Sequence, residues 1–157
     1  MSLRNRPELR VVTAPRRSVK SRSEMIANGV RSRLYLREAT NPLDARLHVG
    51  VPKREGTRCA VTVGAIVNTK NLTLIPIDDA VRGEISFHFA VLDDRQQESQ
   101  VRSTTKEIWP RPGANVTESV SVGLGPRKYV ISAALVDDVS GEASYMQDEI
   151  DATVCAH

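Results

Sequence analysis

From Leu43 to the C-terminus, apolar and polar side chains alternate, and a period of two restricts the chain to extended strands with one face buried. The run ARLHVGVP sets Leu47, Val49 and Val51 on one face, and RCAVTVGAIVN offers Val61, Val63, Ala65 and Val67 with Ile66 behind them. RGEISFHFAVL turns Ile85, Phe87, Phe89 and Val91 inward and Glu84, Ser86, His88 and Ala90 outward. NVTESVSVGL contributes Val116, Val120, Val122 and Leu124, and KYVISAALV contributes Tyr129, Ile131, Ala133 and Leu135. Two more polar stretches, 96–109 and 142–154, read as half-exposed strands. Seven or eight short strands with Gly, Pro, Asn and Asp between them predict an all-β sandwich. No long helix separates them, which excludes parallel βαβ winding.

Upstream of Leu43 the pattern changes. ELRVVT at 8–13 reads as a short strand closed by Pro15. Ser21 with Glu24 three residues on matches a capping box, and Ile26, Val30 and Leu34 repeat at a spacing of four, so a helix is expected over 23–39. Pro42 follows and ends it. The expected organisation is a basic connector over 1–42, holding this strand and the one helix, followed by a β-sandwich domain over 43–157. Charge divides along the same line. Residues 1–37 hold ten Lys or Arg against Glu8 and Glu24, whereas the remainder holds twelve basic and seventeen acidic residues. A basic arm can meet nucleic acid or an anionic surface, with Arg10, Arg16, Arg17, Lys20 and Arg22 as the contacts, or it can dock on an acidic protein surface. Nucleic-acid modules usually add stacking aromatics, and Tyr35 is the only aromatic in the segment, which favours a segment that docks on its own acidic domain or stays solvated.

Asp93-Asp94 and Asp137-Asp138 each follow an apolar run, and Asp78-Asp79 forms a third pair. Aspartate at a strand end bonds its own backbone two residues on, so these pairs are expected to build turns. A calcium cage assembled from several such turns at one end of the sandwich is the alternative, since calcium takes six to eight oxygens. Cys59 and Cys155 match no metal-ligand spacing and are expected to be two unpaired thiols, with a disulfide closing a large loop as the alternative. His48 and His88 fall on polar-facing positions and are expected to be exposed. Trp109, in EIWPRPG, is expected to pack on the core. No nucleophile motif, phosphate-binding glycine pattern or metal-ligand set occurs, so neither catalysis nor a cofactor is expected. No apolar run is long enough to span a membrane, and MSLRNRPELRVV carries charges where a signal peptide needs apolar residues. The chain is expected to be either cytoplasmic or an internal piece of a larger protein, and the strand-like run so near its start favours the piece.

Three stretches, in order, resemble one family. RPELRVVTAPR resembles the run that closes the von Willebrand factor A-like domain in acidobacterial-type secreted proteins. LREATNPLDARLHVGV is similar to the connector that follows it, and RKYVISAALVDDVSGEASY to a late hairpin of the same family. DVSGE at Asp138 departs from the D-x-S-x-S of the A domain, so the family's metal site does not transfer. The resemblance implies the region downstream of the A domain: a non-catalytic accessory or interaction domain, partnered by the adjacent A domain or another protein, in a secreted or periplasmic parent. Separately, LGPRKY looks like the tyrosine corner of immunoglobulin-like and fibronectin type III sandwiches, with Tyr129 as its tyrosine.

Overall fold

A computed structural model describes residues 21–156. The strand expected at 8–13, and Arg10, Arg16, Arg17 and Lys20, lie outside the described residues. Among the described residues, nine strands follow one α-helix: β1 (Arg46–Val49), β2 (Lys53–Glu55), β3 (Arg58–Asn68), β4 (Ile75–Ile77), β5 (Ala80–Asp93), β6 (Arg102–Ile108), β7 (Asn115–Leu124), β8 (Lys128–Asp137) and β9 (Ala143–Asp151). Every pairing is antiparallel. In sheet I, β7 pairs with one edge of β3, and β1 and β2 share the other. In sheet II the order is β6-β5-β8-β9, with the short β4 paired to the start of β5. The result is an all-β, immunoglobulin-like sandwich. The two strands beyond the seven stretches named from the sequence are the three-residue β2 and β4.

Alternation built the interior as the sequence indicates. Val61, Val63, Ala65 and Val67 from β3 meet Ile85, Phe87, Phe89 and Val91 from β5, with Val122, Ile131 and Leu135 from β7 and β8. The Phe87 and Phe89 rings stack with centroids 5.5 Å apart at its centre. Burial of this apolar area is the main favourable term for the fold. One position departs from the pattern. Val51 is 80% exposed rather than inward. The Gly50 N–H still donates to the Thr62 carbonyl at 2.7 Å, but Pro52 has no N–H to offer, and the strand breaks there into β1 and β2.

The helix, α1, spans Arg22–Ser32. Its capping box is present: the Ser21 hydroxyl accepts from the Glu24 N–H, and the Glu24 carboxylate accepts from the Ser21 N–H. The helix stops seven residues before the expected end at 39. Leu34 is buried, yet it is held by turns beyond the helix, in which the Leu34 and Tyr35 N–H groups donate to the Arg31 and Ser32 carbonyls. Past Leu34 the stripe has only Arg37 and Glu38 to offer, and no burial favours another helical turn. Ile26, Val30 and Leu34 cover Ala90, Leu92, Ala134 and Val136 on the outer face of sheet II. Strand β8 is therefore buried on both faces, which is why its sequence reads as an almost unbroken apolar run. Gly29 sits where a Cβ would come within 2.7 Å of the Tyr145 hydroxyl oxygen, so the glycine lets α1 settle against β9. The Arg33 guanidinium caps the same ring, 3.9 Å from its centroid.

Candidate functional site

The aspartate turns are local devices. Asp93 Oδ1 accepts from the Arg95 and Gln97 N–H groups at 2.8 and 2.9 Å. Asp137 is buried, and its Oδ1 accepts from the Val139 and Ser140 N–H groups while Oδ2 accepts from the Thr73 N–H at 2.7 Å. Gly141, at φ +86°, completes that turn. In the ladder Asp93 lies opposite Tyr129, and Asp137 opposite Ile85, so the two turns stand at opposite ends of β5 and share no ligand. The cage contemplated from their convergence is not formed. Among the described residues, no three His, Cys, Asp or Glu side chains come together as a metal site.

At the Asp93 end, the chain passes from β7 to β8 through Gly125–Arg127, and the Tyr129 hydroxyl donates to the Gly125 carbonyl at 3.0 Å. Burial of the ring raises the phenol above its ordinary value. Tyr129→Phe should cost about 1 kcal/mol, the net worth of one hydrogen bond, and lower the melting temperature by about 3 °C. A thermal melt by circular dichroism measures it, and an unchanged midpoint would mean that the bond pins nothing. Beside Tyr129, Cys59 and Cys155 form a disulfide with Cα atoms 5.6 Å apart. This corrects the expectation of unpaired thiols: Cys155 is buried in a 3-10 turn, Thr153–Cys155, that the chain folds back against the start of β3.

The other end of sheet II carries a polar cleft. Helix α1 covers only the apolar half of the outer face. Next to it, Glu84, Ser86 and His88 of β5 continue outward beside Ser103 and Thr105 of β6 and Asp138 after β8, with Arg22, Ser23 and Ile26 of α1 as a wall. The space they enclose is about 370 Å³. His88 is half-buried here, correcting its expected exposure, and burial pushes its imidazole below the ordinary value. Ser86 Oγ stands 2.9 Å from His88 Nε2 and 3.0 Å from Asp138 Oδ1. A serine has one hydroxyl proton. With Asp138 ionised that proton goes to the carboxylate, so His88 must donate from Nε2–H into the remaining lone pair. A serine nucleophile needs the opposite, an imidazole that accepts its proton. Burial raises the Asp138 carboxyl above the ordinary range, with the neighbouring Glu84 charge adding to the effect. Arg22, proposed from sequence as an anion contact, donates from Nη1 to the Asp138 backbone carbonyl at 3.0 Å.

Beyond the cleft, no element among the described residues covers the same face. Trp109, one residue past β6, is 52% exposed rather than packed on the core, and its indole N–H donates to Glu107 Oε1 at 3.3 Å. The Arg82 guanidinium donates to Glu107 Oε2 and lies 3.9 Å from Glu84. Those bonds hold the Glu107 carboxyl below its usual range. The pairing of β4 with β5 puts Ile75 and Ile77 on the face of Arg82, and both are exposed. The outer face of sheet II thus runs from a polar pocket to a restrained tryptophan. Alternation identified which side Glu84, Ser86 and His88 take; it gave no sign that α1 would wall the pocket.

No protein-family model matches the chain, and no curated protein is similar to it in sequence. Among solved structures it is similar to a β-glucuronidase from Bacteroides uniformis, with a TM-score of 0.48 and 10% identity over 67% of this chain and 13% of that one. It is also similar to a structural-genomics target, SoR45, with a TM-score of 0.45 and 12% identity over 71% and 87% of the two chains. A protein from Archaeoglobus fulgidus gives a TM-score of 0.39 and 10% identity over 73% and 97%. The chain spans about an eighth of the glucuronidase. Likenesses of this degree carry no argument about activity. No helix among the described residues is long and apolar enough to cross a membrane.

Proposed function

We propose that this chain is a non-catalytic interaction module of an exported protein that also carries a von Willebrand factor A-like domain, and that it meets its partner with the outer face of sheet II. The observation that carries the reading is Trp109, an exposed tryptophan restrained by Glu107 on a face that also presents Ile75 and Ile77. Tryptophan leads among residues whose truncation disrupts protein interfaces, and a pre-positioned ring loses little freedom on binding. Two further observations support it. The Cys59–Cys155 disulfide suits an oxidising compartment. The proton order from His88 through Ser86 to Asp138 opposes use of the serine as a nucleophile.

The test is calorimetric binding of the chain to the A-like domain of the full-length gene product, supplied as a separate protein. Trp109→Ala should weaken binding about thirtyfold, the loss of a residue worth roughly 2 kcal/mol at an interface, with the melting temperature unchanged. Absence of an A-like domain in that product, or equal affinity in the variant, defeats the reading.

A further inference from the structure

The charges on the recognition face define what it can receive. Arg22 and Arg82 face Glu84, Glu107 and Asp138, so carboxylates outnumber guanidiniums there. Both arginines already have partners on this face. Arg82 is divided between Glu107 and Glu84, and Arg22 spends a donor on a backbone carbonyl. Among the described residues, the Asp138 carboxylate has one hydrogen-bond donor, the Ser86 hydroxyl, and no cation within ion-pair distance. It stands beside Glu84, since the Asp138 N–H donates to the Glu84 carbonyl at 2.9 Å. Glu84 is in turn paired across the ladder with Glu107, which holds Trp109. A row therefore crosses the sheet: a part-buried carboxylate in a cleft of about 370 Å³, a second carboxylate at the rim, and a half-exposed indole. Carboxylates with spare lone pairs complement a cation, and an indole face attracts one through its quadrupole.

We propose that the outer face of sheet II docks a basic segment of a protein partner, one arginine or lysine entering the cleft to meet Asp138 and Glu84 and a second lying over Trp109. The proposal rests on the interaction reading above and names the chemistry of the partner. The opposite carboxylate, a partner aspartate or glutamate, would meet Asp138 and Glu84 as like charges. A neutral apolar segment would leave the floor of Ser86, His88 and Asp138 desolvated without new partners.

Trp109 is the sole tryptophan and serves as the reporter. The full chain is titrated with a hexapeptide containing two arginines, its lysine counterpart and a glutamate counterpart, following tryptophan emission. Both basic peptides should give a saturable change that weakens as salt is raised, and the acidic peptide none. Glu84→Gln, at the rim, and Asp138→Asn should each weaken binding by about tenfold or more, while Glu149→Gln, on β9, should leave it unchanged. Melting curves establish that each variant is folded, and Glu84→Gln keeps the test decisive if Asp138→Asn is not. Equal response to the acidic peptide, or binding indifferent to both carboxylates, overturns the proposal. So does binding that appears only after Arg16, Arg17 and Lys20 are replaced by alanine, because the occupant would then be this chain's own segment. Free spermidine matching the peptides in affinity overturns it in favour of a small amine. If the A-like domain binds through Trp109 while basic peptides do not, the interaction reading stands and this inference alone falls.

Discussion

Asp137→Ala will lower the stability of the domain by about 3–4 kcal/mol, the largest loss expected from any single polar side chain here. The carboxylate is buried and accepts from three backbone N–H groups, those of Thr73, Val139 and Ser140. Alanine leaves all three without that acceptor, and the Thr73 bond joins a distant segment to the turn. An unsatisfied buried donor costs on the order of 1–3 kcal/mol, and the Val139 and Ser140 groups, which lie nearer solvent, recover part of theirs from water. Urea denaturation should show a lower midpoint at an unchanged slope, and the melting temperature should fall by about 10 °C. Asp94→Ala, at an exposed position in the other turn, should change stability by less than about 0.5 kcal/mol. Equal, small effects at both positions would show that the second carboxylate is dispensable.

The double replacement Cys59→Ala and Cys155→Ala should cost about 4 kcal/mol. The bond joins residues separated by 96 positions, and closing so long a loop removes much of the freedom of the unfolded chain. Both sulfurs are buried beside Ala152 and Tyr129, so the variant also loses packing at that end. A urea titration of the variant against the oxidised protein gives the difference. The oxidised protein, denatured without reductant, should also take up no alkylating agent, and should take up two equivalents after reduction. Two reactive thiols before reduction would refute the pairing.

Much of the architecture follows from local pattern. The inner faces of β3 and β5 were legible because every second residue from Val61 to Val67 and from Ile85 to Val91 is apolar, and a period of two has one structural meaning. The turns at Asp93 and Asp137 were legible because their bonds from the Arg95, Gln97, Val139 and Ser140 N–H groups reach only a few residues along the chain; the Thr73 bond to Asp137 spans 64 positions and was not. What alternation cannot report is a third layer. His88 points outward from its strand as expected, yet α1 walls the space it points into, and that wall is fixed by contacts with residues distant in sequence. Trp109 was misplaced for a related reason: a large aromatic beside prolines suits a packed loop equally well, and only the partnership with Glu107 shows it standing free. The pairing of Cys59 with Cys155 left no trace in spacing, since the two meet only once the C-terminal turn is folded back. The helix end was misjudged because Leu34 keeps the apolar period although the backbone around it has left the helix.

The covalent link near the C-terminus has a mechanical consequence. Tension applied at the two ends of the domain is transmitted from Cys155 directly to Cys59, so strands β4 to β9 lie inside a closed ring that pulling cannot unravel. Among the described elements, only α1, β1, β2 and the beginning of β3 lie in the load path. Stretched in a single-molecule trap, the oxidised domain would yield a short extension from that N-terminal portion, and the rest would pay out only after reduction.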